Sequence, residues 1–158
     1  MASRILALTA LLAAFVVAGC GGGDQLTKDE YIKELNSAGK ALSTSFNSLG
    51  EGISDTKDTK GLGAKFTEAS NALRKASDQI GDINPPDDAK DANDKLAGGL
   101  GKMADSFDEV GKASSSSNAS QSAALLTKIN KLATSEGIKQ VTDAINALKA
   151  KGYNISGQ

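Results

Sequence analysis

Apolar residues recur every three or four positions over most of this 158-residue chain, the spacing that places them on one face of an α-helix. Tyr31, Leu35, Ala38, Leu42, Phe46, Leu49 and Ile53 form the first stripe. It opens on Thr27-Lys28-Asp29-Glu30, a Thr three residues before a Glu, the reciprocal cap that satisfies two free amide donors at a helix start. The second stripe, Leu62, Phe66, Ala69, Leu73, Ala76, Ile80 and Ile83, alternates steps of four and three without a fault. Asn84-Pro85-Pro86 ends it, because proline lacks the amide donor and disfavours helix in the residue before it. Asp87 is the expected cap of a third helix, with Asp88 and Asp91 in its first turns and Ala89, Ala92, Leu96, Leu100, Met103, Phe107 and Val110 on its stripe as far as Gly111. The last stripe changes phase, from Leu126, Ile129 and Ala133 to Ile138, Val141, Ile145 and Leu148 after the Thr134-Ser135-Glu136-Gly137 stretch, in which Gly137 is the expected site of a kink or short break. Gly152 stands where a left-handed cap ends a helix, with Lys149 and Lys151 in the final turn.

These patterns predict helices over residues 28–50, 60–83, 87–111 and 120–151, within a domain spanning 27–152 and followed by a tail, 153–158. Ala113 to Ser122 is too polar and Ser-rich to bury and is expected to be a loop. Four helices with one apolar face each and short connections bury those faces best as an all-α, up-down-up-down four-helix bundle. The Pro-Pro turn makes the second and third helices an antiparallel hairpin. Aromatics are 4% of the chain and apolar residues 39%, so the core is thin. Ala seams bring the helices close, while Leu, Ile and Phe, at roughly 1.5–3 kcal/mol per buried side chain, carry the stability.

Residues 1–19 follow a different rule. Arg4 gives a positive start, Ile5 to Val17 is apolar or small apart from Thr9, and the run falls short of the roughly 20 apolar residues that cross a bilayer. It reads as a signal peptide. Its end, Val17-Ala18-Gly19-Cys20, resembles the lipobox of bacterial lipoproteins: an aliphatic residue, two small ones and a Cys. The resemblance covers about the first 20 residues. It implies that Cys20 receives a diacylglyceryl group, that the signal is cut before it, and that the new amino terminus is acylated with a chain such as palmitate. Two or more acyl chains anchor stably where one is marginal. Residues 20–26 then form a lipidated Cys and a Gly-rich tether, Gly21-Gly22-Gly23 having no reason to fold. The bundle is similar only in outline to small helical lipoproteins of the bacterial cell envelope.

Charge and composition remove most other functions. Lys and Arg number 18 against 19 Asp and Glu, without the basic excess of a nucleic-acid binder. The chain has no His and one Cys, so His-based catalysis, most metal sites and an internal disulfide are ruled out. Asp87, Asp88, Asp91 and Asp94 lack the alternating ligand spacing of a calcium loop and read as helix capping. Gly98, Gly99 and Gly101 sit inside a helix with no strand before them, which excludes a phosphate loop; close packing accounts for Gly99, at the flank of the stripe, and not for the other two.

The sequence therefore predicts a non-catalytic module without cofactor or metal. It is held at a membrane through Cys20 and binds an envelope protein or fills a structural place. The alternative is capture of a small apolar or amphiphilic ligand between the helices, around Leu96, Gly99, Leu100 and Met103 of the third.

Overall fold

The computed structural model describes residues 25–54, 59–116 and 122–155. The signal segment, Val17 to Cys20, the glycine tether and residues 117–121 of the Ser-rich stretch lie outside the described residues. The protein is an all-α four-helix bundle: α1 (Lys28–Ser54), α2 (Thr59–Gly81), α3 (Lys90–Ser116) and a fourth arm broken into α4 (Ser122–Leu132) and α5 (Glu136–Ala150). Packing runs from α1 to α2, from α2 to α3, and from α3 to α4 and α5.

The start of α1 is built as its capping box requires. The Thr27 amide donates to Glu30 Oε2 at 2.9 Å and the Glu30 amide donates to Thr27 Oγ1 at 3.4 Å. Hydrogen bonds from the Thr27 hydroxyl and amide hold the Glu30 carboxyl below its ordinary pKa. The α2 stripe faces inward, Phe66, Ala69, Leu73, Ala76 and Ile80 being buried, while Leu62 is half-buried and the helix ends at Gly81, which leaves half-buried Ile83 beyond it. Two α2 hydroxyls cross to α3 backbone: Ser70 Oγ donates to Ala104 O and Ser77 Oγ to Ala97 O, both at 2.8 Å. Gly63 and Gly111 let the same two helices meet nearer the other end, since a Cβ on Gly63 would lie 2.8 Å from Gly111 O.

Several boundaries differ from those the sequence suggests. Asp87 does not cap α3. A single 3-10 turn, Asp87–Ala89, intervenes, its preceding residue Pro86 offers no side-chain cap, and the Asp87 carboxylate goes to Lys90 and Gln25 instead. Those bonds, that of Lys90 foremost, keep its pKa low. Helix α3 runs past Gly111 to Ser116, taking in the first residues of the expected loop, because buried Ser114 returns its hydroxyl to Val110 O at 2.8 Å and needs no solvent. The fourth arm breaks at residues 133–135 and not at Gly137. There Ser135 caps α5, accepting from the Ile138 amide at 3.4 Å. Gly137 instead serves a helix crossing: a Cβ there would stand 2.7 Å from both Gly99 O and the Met103 amide. The α4 stripe is also one position out of the expected phase, with Leu125 and Leu132 buried and Leu126 61% exposed.

Gly152 takes φ +78°, and the Tyr153 amide reaches back to Leu148 O at 3.0 Å, a left-handed end of the kind the sequence predicts. The segment beyond Gly152 is not a free tail. Tyr153 is 1% exposed and belongs to the main core with Tyr31, Leu73, Leu96, Leu100 and Leu148. A second, smaller cluster of Phe66, Val110, Leu125 and Leu132 lies under α4, with half-buried Phe107 against both.

Candidate functional site

A ring of four helices closes when the first packs on the last. Here α1 and α5 do not pack closely, and an apolar slot of about 130 Å³ lies between them. Leu35, Ala38, Gly39 and Leu42 of α1 form one wall, Val141 and Ile145 of α5 the other, and Ala76, Ile80, Leu96 and Leu100 the floor. Ile155, beyond the end of α5, completes the lining. The slot's position follows from the α5 wheel. Gly137, Ala144 and Leu148 turn toward α3 and are buried, which leaves Val141 and Ile145 half-buried at the flank, facing the slot.

One end of the bundle is held by directional contacts. Tyr31 and Tyr153 meet edge to face with centroids 5.6 Å apart. The Tyr31 hydroxyl donates to Asn93 Oδ1 at 3.0 Å, and buried Asn93 donates to Ile80 O at 3.0 Å. The Tyr153 hydroxyl donates to Asp88 Oδ1 at 2.6 Å, while Lys28 lies 4.6 Å over the Tyr153 ring and donates to Lys151 O. Lys151 itself donates to Asp88 O. Burial pushes the Tyr31 hydroxyl far above its ordinary range, and burial, then the bond to Asp88, pushes Tyr153 up to about 12. Both hydroxyls are therefore protonated at neutral pH and pin this end of the bundle through their hydrogen bonds. The chain enters at this end: Leu26 N donates to Asn84 O at 3.0 Å, and Gln25 Nε2 donates to Pro85 O and Asp87 Oδ1 at 3.1 and 2.8 Å.

A wider depression of about 650 Å³ runs between α3 and the α4–α5 elbow, lined by Ser106, Glu109, Thr127, Lys128, Lys131 and Glu136 among others. Its charges are largely engaged. Lys128 pairs with Glu109 at 3.5 Å, and Lys102 with Glu136 at 2.6 Å, a contact that lowers the Glu136 pKa. This is a solvated furrow beside a short helix, and the smaller slot is the better ligand site because its lining is uniformly apolar. Among the described residues no group of three or more His, Cys, Asp or Glu side chains could hold a metal ion.

Of the α3 residues the sequence singles out, Leu96 and Leu100 do line the slot, whereas Met103 does not: it lies at the α3–α5 crossing, its Cγ 2.8 Å from where a Cβ on Gly137 would stand. Gly99 is packed, its would-be Cβ 2.9 Å from Val141 Cγ2 and 3.0 Å from the Val141 amide, while Gly98 faces open space and Gly101 makes ordinary contact with Ser77. Cys20 lies outside the described residues. Gly39, Ile155, Asn93 and Tyr153 are absent from the sequence-based candidates. Only the spacing Ile145, Leu148, Tyr153, Ile155, continuing apolar beyond Gly152, signals Tyr153 and Ile155. No protein family, curated protein or solved structure matches the chain.

Proposed function

We propose that this chain is a bacterial lipoprotein, anchored by acyl groups on Cys20, whose four-helix domain acts by binding at the membrane surface and not by catalysis. The observation that carries the reading is the apolar run Ile5 to Val17 closing on Val17-Ala18-Gly19-Cys20; the attachment of Gln25 to the Pro85–Asp87 turn, five positions after Cys20, then sets which end of the bundle the anchor would hold. Five residues span at most about 17 Å at roughly 3.5 Å each, so the end bearing Gln25, Asp87, Asp88 and Lys151 faces the bilayer. No helix among the described residues is long and apolar enough to cross a membrane. Cys20→Ser tests it: the variant leaves the membrane fraction and loses the mass of its acyl groups, and a variant still in that fraction refutes the anchor.

A second reading, uptake of an apolar or amphiphilic ligand between the helices, is favoured by one observation. The slot between α1 and α5 is lined by apolar side chains and glycine alone. A helix pair serving only to fill space has no reason to stand apart there, since closing the gap would bury Leu42, Val141 and Ile145 further. An apolar ligand that raises the melting temperature in proportion to its concentration supports this reading; a melt indifferent to such ligands removes it.

A further inference from the structure

We propose that the slot between α1 and α5 holds the end of one acyl chain of a membrane lipid, an inference that rests on the anchored reading above. The chemistry of the lining comes first. Every side chain facing the slot is aliphatic, so nothing there recognises a headgroup, a sugar or a charged metabolite. An apolar void near this size, about 150 Å³, stays dry and takes a group as large as benzene; the 130 Å³ slot therefore suits the terminal methylenes of a chain and not a whole lipid. At Gly39 on the lip, a Cβ would meet nothing within 4 Å, so the wall is left low where a chain would enter.

Length and location select the occupant. Residues 55–58, 117–121 and 156–158, outside the described structure, are polar in sequence and cannot fill an aliphatic slot. The apolar run Ile5 to Val17 is removed with the signal in the anchored form. The tether holds the Gln25 end within about 17 Å of the bilayer. Leu35 and Leu42 lie roughly 10 and 20 Å up α1 from that end, at about 1.5 Å per residue. A lipid tail is about 15 Å long, half of a hydrocarbon core of roughly 30 Å, so with its headgroup at the surface it enters the slot past Leu35 when the Gln25 end rests on the bilayer, a position the tether allows, and not when the tether is extended. The tails on Cys20 are the poorer source, because withdrawing one leaves an anchor that single chains make only marginally.

The test uses the full chain made with its own signal, purified from membranes and reconstituted into phosphatidylcholine vesicles. These contain a phosphatidylcholine with a diazirine at the end of one tail. Illumination and peptide mapping should place label on the segments bearing Leu42 and Val141 to Ile145. Gly39→Leu, which fills the lip, should lower that labelling about tenfold, the change expected when the last methylenes of the tail are kept out of the slot, with the melting temperature no lower. Ile145→Phe is the second blocking variant and should act in the same direction. Label confined to residues 20–26, or unchanged in folded blocking variants, overturns the proposal, as does slot labelling that appears only once the Cys20 acyl groups are removed. The intact mass of the same sample reports Cys20 acylation separately: an acylated chain with an unlabelled slot sinks the slot and spares the anchor, whereas a labelled slot in a chain with no acyl group sinks the anchor.

Discussion

The two ends of this bundle are held by different physics. At the end where the chain enters, Tyr31, Asn93, Tyr153, Lys28 and Asp88 come from separate stretches of the chain and join through directional bonds and one edge-to-face ring pair. At the other, α4 rests on α3 through Leu125, Leu132 and half-buried Ile129, while Leu126 faces solvent. Its 11 residues are fewer than the roughly 12–15 that an isolated helix needs to be even marginal in water, so its helicity is owed to that apolar contact. The polar end specifies one arrangement through buried directional bonds; the α4 end is held mainly by apolar area, with the exposed Lys128–Glu109 pair at its edge. The slot between α1 and α5 lies next to the first kind of end, with Ile155, two residues beyond Tyr153, in its lining.

The largest effect that could break this comparison is a core truncation at each end. Leu73 is fully buried in the main cluster, and Leu73→Ala should cost about 2–5 kcal/mol, a large share of a small domain's stability. Leu125→Ala should cost about 2 kcal/mol or less, since a single short helix can settle into the space. Chemical denaturation of both variants decides it, and equal losses would mean that α4 is as integral to the fold as α2. Hydrogen exchange offers the same comparison without mutation: α4 amides should exchange through local opening well before those of α2 and α3.

Next in size is the polar pin itself. Asn93→Ala leaves the Tyr31 hydroxyl without its partner in a buried site and takes from the Ile80 carbonyl one of its donors, the Ile83 amide at 3.3 Å remaining, which costs about 1–3 kcal/mol. Asn93→Leu should not restore the loss, because the Tyr31 hydroxyl stays unpaired. If either variant melts with the wild type, the network is ornamental and the two ends are alike.

Alkaline pH probes the same end more gently. The folded-state Tyr153 value, about 12, lies above the roughly 10 of an unfolded tyrosine. Its contribution is therefore complete below about pH 10 and is lost as pH rises through about 12. Tyr31, raised by burial, acts in the same direction. Stability measured between about pH 9 and about pH 11.5 should fall, and Tyr153→Phe, with no proton to lose, should flatten that fall. An identical slope in the variant would place the alkaline sensitivity elsewhere.

The legible parts of this fold are those where one periodicity acts alone. The α2 stripe and the Thr27–Glu30 box read correctly because a helix with one buried face and a local cap needs no knowledge of its neighbours. The break at residues 133–135 is hidden by two competing signals. Gly137 looks like the breaker, yet the interruption is made by the Ser135 cap, while Gly137 is needed where α3 and α5 cross. Asn93 and Tyr153 are hidden for a different reason. Each is a polar or terminal residue whose place in the core exists only because Tyr31 and Asp88, 62 residues before the one and 65 before the other, supply partners. The slot is half legible: its α3 floor, Leu96 and Leu100, lies on a stripe, whereas its opening depends on what α1 and α5 fail to do.

The smallest effects lie in the three glycines of α3, and they sharpen the comparison at the point where α5 leaves the elbow to join the polar end. Glycine inside a helix costs about 0.5–1 kcal/mol relative to Ala unless packing requires it. A methyl group added at Gly98 would have nothing within 4 Å, so Gly98→Ala should stabilise by up to that amount. Gly101→Ala, at ordinary contact distance from Ser77 Oγ, 3.5 Å, should stabilise somewhat less. Gly99→Ala must push against the Val141 amide 3.0 Å away and Gln140 Cβ at 3.1 Å, atoms that cannot swing aside as the end of a long side chain can, and should destabilise despite the same gain in helix propensity. Because Val141 is also a slot wall, the shift forced by that methyl moves α5 relative to α1, so Gly99→Ala alone of the three should alter apolar-ligand binding as well as the melting temperature. Three substitutions of one chemistry, within four residues, thus separate propensity from packing. A uniform gain across all three would show that α3 and α5 cross more loosely than their backbones here require.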